Sequence, residues 1–169
     1  FFIAIILLYN FVEQKNYFYG LFFLSIFIAG LFADFKLFNN PKLRLLAQIS
    51  ILIFFVYFLD IKIPSTRIEI IDILFENNLI NYTFTVFCLA ILINGSNFVD
   101  GINTLLINYY IITLGLILFF FKDINIDQNF ITNLFSLLII ILLFNAFGQI
   151  ILGDSGAYIL SLFVGLILI

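Results

Sequence analysis

The ten residues Asn94-Gly-Ser-Asn97-Phe-Val-Asp100-Gly101-Ile-Asn103 set three asparagines, a carboxylate and two glycines into strongly apolar sequence. Polar groups are expensive in a membrane segment and are kept there when they bind or react. The side chains at 94, 97, 100 and 103 recur at every third position. On a helix each therefore lies about 300° round from the last, and together they form one slowly drifting face. Such a row of amide and carboxylate oxygens suits a metal ion, a sugar or a phosphate.

The elements that must position this face are membrane helices. Of the 169 residues, 64% are hydrophobic, 10% are charged and 25 are phenylalanine. Soluble domains average about 45–50% apolar and about 25% charged. A net charge of -3 and a pI near 4.6 argue against a nucleic-acid partner, which calls for a basic surface. Histidine is absent, which removes imidazole acid–base chemistry and His-ligated zinc from these residues. The lone Cys88, in an apolar run, reads as a buried structural thiol.

Apolar runs occupy 1–12, 18–33, 43–61, 79–94, 105–121, 131–152 and 157–169. The complete ones approach the length that a hydrocarbon core of about 30 Å requires at about 1.5 Å per residue. They are continuous, whereas a membrane β-barrel alternates. The expected fold is all-α: a polytopic transmembrane bundle of about five complete and two truncated spans, forming a single domain over 1–169 that is cut at both ends. Residues 67–78 suit a short amphipathic helix lying in the interface.

Counting spans sends the connections 34–44, 94–103 and 153–156 to one face, and 13–17, 62–78 and 122–129 to the other. Asp34, Asp100 and Asp154 then share a face, each at or within a helix end. The remaining acids fall on or near the opposite side, in ordinary loop settings. Lys36, Lys42 and Arg44 form the densest basic cluster of the chain, which favours a cytoplasmic orientation for the acid-bearing face. Taken singly these residues also have plainer roles. The basic segment is equally a solvated loop, Pro41 a first-turn residue, and Asp154 a helix N-cap.

The stretch Asn94 to Asn103, the segment Gly30-Leu-Phe-Ala-Asp34 followed by Pro41-Lys-Leu-Arg44-Leu-Leu-Ala-Gln48, and Leu152-Gly-Asp154-Ser-Gly156 together resemble the polyprenyl-phosphate N-acetylhexosamine-1-phosphate transferases. That family includes the phospho-MurNAc-pentapeptide translocase and the initiating transferases of surface glycans. The resemblance implies magnesium-dependent transfer of a sugar 1-phosphate from a UDP-sugar to undecaprenyl phosphate, with release of UMP. Manganese would be an acceptable substitute for magnesium, and membrane lipid and a second copy of the chain are compatible partners. It implies further that Asp154 coordinates the metal and that Asp100 deprotonates the lipid phosphate or attacks as a nucleophile, with Asp34 also catalytic. Asn94, Asn97 and Asn103 would orient these groups and the uridine nucleotide, and Lys42 and Arg44 would hold phosphate. The implied location is the bacterial inner membrane, with the site on its cytoplasmic face, in cell-wall or lipopolysaccharide synthesis. The chain departs from the family at Ala33, where a second aspartate adjoining Asp34 is usual, and at Thr104, where glycine is usual. Two other readings remain open: a catalytically impaired relative, and a transporter or channel, which would place its acids at mid-span.

Overall fold

The computed structural model describes residues 17–37, 40–101, 104–120 and 128–169, with the side chains of 128 and 129 excepted. The expected first span, Asn103 and most of the 122–129 connection lie outside the described residues. Among the described residues there are seven helices and no strand: α1 (Tyr17–Asp34), α2 (Pro41–Phe58), α3 (Glu69–Phe75), α4 (Asn78–Asp100), α5 (Leu105–Phe120), α6 (Gln128–Ala146) and α7 (Gly153–Leu168). Three of these, α1, α2 and α4, are long and apolar enough to cross a membrane, and α5, α6 and α7 contribute shorter apolar helices. The chain is an all-α, polytopic bundle, and α3 falls within the segment expected to lie at the interface.

Local chemistry explains the helix ends. Asn40 caps α2 by accepting the Lys42 N–H at 2.9 Å, and Pro41 follows at the first position, where a fixed φ and a missing donor do no harm. Lys36, at φ 57, ends α1 by sending its N–H to Ala33 and that of Leu37 to Phe32, both at 2.9 Å. Gly148, at φ 68, ends α6 in the same way, with bonds of 2.9 Å from Gly148 to Asn145 and from Gln149 to Phe144. These are Schellman closures, which satisfy carbonyls that the helix leaves free. The apolar run expected to reach 152 therefore stops being helical at Ala146.

The asparagine stretch departs from expectation in the other direction. It was expected as a connection beginning near 94, yet α4 continues through it to Asp100. Asn94 turns its Nδ2 back onto the Ala90 carbonyl at 2.8 Å, a local bond that leaves the helical ladder intact.

Helix α7 is the centre of the bundle. Its residues Ala157 to Gly165 are buried without a break, as expected of a helix apolar all round, and it packs chiefly on α1 and α4. The outer helices turn Phe54, Phe87, Ile112 and Leu143 outward, toward what in a bilayer is acyl chain. At the end of the bundle away from α7's first turn, Lys62 pairs with Asp60 at 2.8 Å and the Tyr82 hydroxyl donates to Asp60. Lys62, then Tyr82, hold the Asp60 carboxyl below its ordinary range. Asn81 clamps Ile63 through both of its main-chain polar groups, at 2.9 Å each. Asp72 accepts from Ser65 and Thr66. These acids serve loop architecture, as their sequence setting suggested.

Candidate active site

The site is assembled around the first turn of α7. Helix starts leave backbone donors without partners, and Leu152, at the N-cap position, supplies no side-chain bond. Asp34 supplies it from another helix: its Oδ1 accepts the Asp154 N–H at 2.7 Å and its Oδ2 the Ser155 N–H at 3.1 Å. An anion there also meets the positive end of the helix dipole.

Two glycines make this cap possible. Gly153 sits at φ +69, and a Cβ on it would lie 3.0 and 3.1 Å from the Asp34 oxygens. Gly30, one turn before Asp34, lies so close to α7 that a Cβ would fall 2.4 Å from the Cα of Ser155. The segments 30–34 and 153–155 are thus one interlocked unit.

Arg44, in the opening of α2, reaches across to Asp154, Nη1 to Oδ2 at 2.6 Å. Asp100, the last residue of α4, is half-buried; it lies near the Gly153 amide and within electrostatic reach of both Asp154 and Asp34. Carboxylates from α1, α4 and α7 therefore converge on one turn, with Arg44 the guanidinium among them. Asn94 and Asn97 are half-buried on the same stretch of α4. Lys42 is exposed and pairs with none of these acids, and Asn103 lies outside the described residues.

One residue of this assembly escaped the sequence reading. Asn145, 4% exposed, accepts the Thr104 N–H at 2.6 Å and donates to the Ile150 carbonyl at 2.7 Å. It ties the residues after the asparagine stretch to the segment that leads into Gly153. Its only sequence signal was an amide inside an apolar run, which is itself a reason for suspicion. Below Asp100, the hydroxyls of Ser96 and Tyr110 meet at 2.5 Å, both buried.

The donor chemistry fits a hard divalent cation. Among the described residues no group of three or more His, Cys, Asp or Glu side chains is disposed to hold a metal by itself. Magnesium does not ask for such a cage; it takes one or two carboxylates with phosphate oxygens and water. Asp154 and Asp100, carboxylates that converge on this turn, are of the type and number such a site takes. Asp34 is the poorer ligand, since each of its oxygens already accepts a backbone amide.

Asp34→Asn tests this division of labour. An amide keeps one acceptor and turns a second donor toward a backbone N–H, so we expect a loss of about 1–2 kcal/mol in stability and faster hydrogen exchange at residues 153–156. Exchange there as slow as in the unsubstituted protein would show that Asp34 does not cap α7.

A family model described as Glycosyl transferase family 4 matches residues 2–169. No curated protein and no solved structure matches.

Proposed function

The chain belongs to glycosyl transferase family 4, and from that premise we propose that it transfers a sugar 1-phosphate, of N-acetylhexosamine type, from a UDP-sugar to undecaprenyl phosphate, leaving a diphosphate-linked lipid sugar and UMP. Membership supports a polyprenyl-phosphate sugar phosphate transferase in general; the named substrates are our reading. The observation that carries it is the meeting of Asp34, Asp100, Asp154 and Arg44 at helix ends on one side of an apolar bundle. An ion path would place such acids at mid-span. Phosphate chemistry needs them where a lipid headgroup and a water-borne nucleotide can both arrive.

Two phosphate anions must approach each other, and that repulsion has to be offset. A bound magnesium ion supplies this by neutralising diphosphate oxygens. In our reading Asp154, with Asp100 beside it, would hold the ion. Asp100 would either take the proton from the lipid phosphate, whose oxygen attacks the sugar-bearing phosphorus as UMP leaves, or attack that phosphorus itself, releasing UMP and then passing the sugar phosphate to the lipid phosphate. Arg44 holds phosphate through its planar donors, and Lys42 attracts it at the membrane boundary. Asn94, Asn97 and Asn103 orient the nucleotide, while Asp34 fixes the turn that presents Asp154. We place the single domain in the bacterial inner membrane with this end cytoplasmic, serving cell-wall or surface-glycan synthesis.

The test is incorporation of radiolabelled UDP-sugar into solvent-extractable lipid by membranes containing the intact protein. A lipid-linked, UMP-coupled product is expected. Its absence across N-acetylhexosamine nucleotides would remove the reading. If Ala33→Asp then conferred product formation, the impaired-relative reading would take its place. Ala33 is only 9% exposed, so a carboxylate there would stand inside the protein beside Asp34.

A further inference from the structure

Gln48 is a buried amide without a partner. It is 1% exposed, and neither its Nε2 nor its Oε1 completes a hydrogen bond. Leaving an amide unpaired in a protein interior costs about 1–3 kcal/mol, and at membrane depth no bulk water relieves it. A leucine would avoid that cost.

Its position is regular. Gln48 lies one turn beyond Arg44 on α2, and Tyr158 one turn beyond Asp154 on α7, so both pairs follow the i, i+4 spacing that puts residues on one helix face. No Cα of α2 lies within 8 Å of a Cα of α7, so side chains alone bridge the helices here. The upper bridge is the made ion pair of Arg44 and Asp154 at 2.6 Å. The lower is Tyr158, also 1% exposed, which is near enough to both Asp154 and Gln48 to interact electrostatically with them and leaves the Gln48 amide without a completed hydrogen bond.

We propose that Gln48 and Tyr158 are a positioning pair for Asp154: when Arg44 turns to a phosphate, the Tyr158 hydroxyl replaces it as the donor to Asp154, and the Gln48 amide holds that hydroxyl in place. The exchange explains an amide left unsatisfied while Arg44 occupies Asp154. Without it, a carboxylate released from Arg44 would be free to rotate away from the cation. Partners in this position orient metal ligands and commonly govern affinity.

The inference rests on Asp154 holding the cation, as proposed above, so its test includes a readout that needs no turnover. The intact protein, purified in detergent, is titrated with Mn2+ and bound ion is read by electron paramagnetic resonance, for the unsubstituted protein, Tyr158→Phe, Gln48→Leu and the double variant. Tyr158→Phe is expected to weaken binding about 10-fold or more and Gln48→Leu to weaken it less. The double variant should be no weaker than Tyr158→Phe alone, because the two act in series. Gln48→Leu should also raise the thermal midpoint, which a packing role would lower. Unchanged Mn2+ affinity in both single variants, additive losses in the double, or no Mn2+ binding by the unsubstituted protein would each overturn the proposal. If the variants bind Mn2+ as expected and no membrane preparation transfers sugar, the pair stands and the transferase reading falls; transfer with unaltered Mn2+ affinity gives the converse.

Discussion

Gly30→Ala is expected to lower sugar-phosphate transfer by about 10²-fold, the scale on which catalytic sites respond to displacements of about 1 Å. The added Cβ would stand 2.4 Å from the Ser155 Cα, 2.8 Å from the Ser155 nitrogen and 3.1 Å from the Asp154 carbonyl carbon. All three neighbours are backbone, so no rotamer change relieves the clash, and α7 has to retreat from α1 by about 1 Å to reach ordinary contact. That retreat stretches both Asp34 bonds, now 2.7 and 3.1 Å, and carries Asp154 away from Arg44. Overpacking of this kind typically costs about 1–3 kcal/mol, so a lower thermal midpoint should accompany the loss of activity. Gly95→Ala is the control on the same measurement. Nothing lies within 4 Å of its Cβ position, and replacing a mid-helix glycine gains about 0.5–1 kcal/mol. If Gly30→Ala unfolds at the midpoint of the unsubstituted protein and turns over within twofold of it, the close crossing of α1 and α7 is not what holds the site together.

That crossing also marks where sequence reasoning ran out. The membrane class and the placing of six helices follow from long apolar runs, because in a bilayer the backbone has little alternative to helix. Alternation of spans was enough to put Asp34, Arg44, Asp100 and Asp154 at one end. What could not be read was how they pair. The Arg44–Asp154 contact joins residues 110 apart in sequence, and nothing local distinguishes it from a contact with Asp34 or Asp100. Asp34 looked like chemistry because it was a carboxylate at a helix end; its bonds to two α7 amides are set by helix crossing, which has no sequence signature beyond a glycine at 30. The spacing of 94, 97 and 100 suited a helix, but counting spans ended that helix near 94. Asparagine and glycine usually punctuate helices, but Asn94 bonds its own helix and Gly95 has room around it. Asn145 went unweighed because it is a lone amide in an apolar run, and Gln48, although it closes the family-like segment from Pro41, was given no role of its own.

Asp154→Asn is expected to reduce transfer by about 10²–10³-fold or more, the loss seen when one preorganised electrostatic group is removed from a reacting centre, with little change in stability. The amide keeps the shape of the side chain and can still accept from Arg44, but it brings no negative charge to a hard cation. The stability change should be small because the ion pair is not deep, its side chains being 30% and 21% exposed, and pairs of that kind contribute at most about 1 kcal/mol. Loss of activity alone does not separate a role toward cation and phosphate from a structural pairing with Arg44. The exchanged pair does. Arg44→Asp combined with Asp154→Arg restores an ion pair between α2 and α7 while reversing which helix presents the carboxylate. If Asp154 serves the reaction, the exchanged protein recovers its thermal midpoint and remains inactive. Recovery of more than about a tenth of the activity, within ~1.4 kcal/mol of the original barrier, would make the pair a strut between helices and would move cation binding to Asp100.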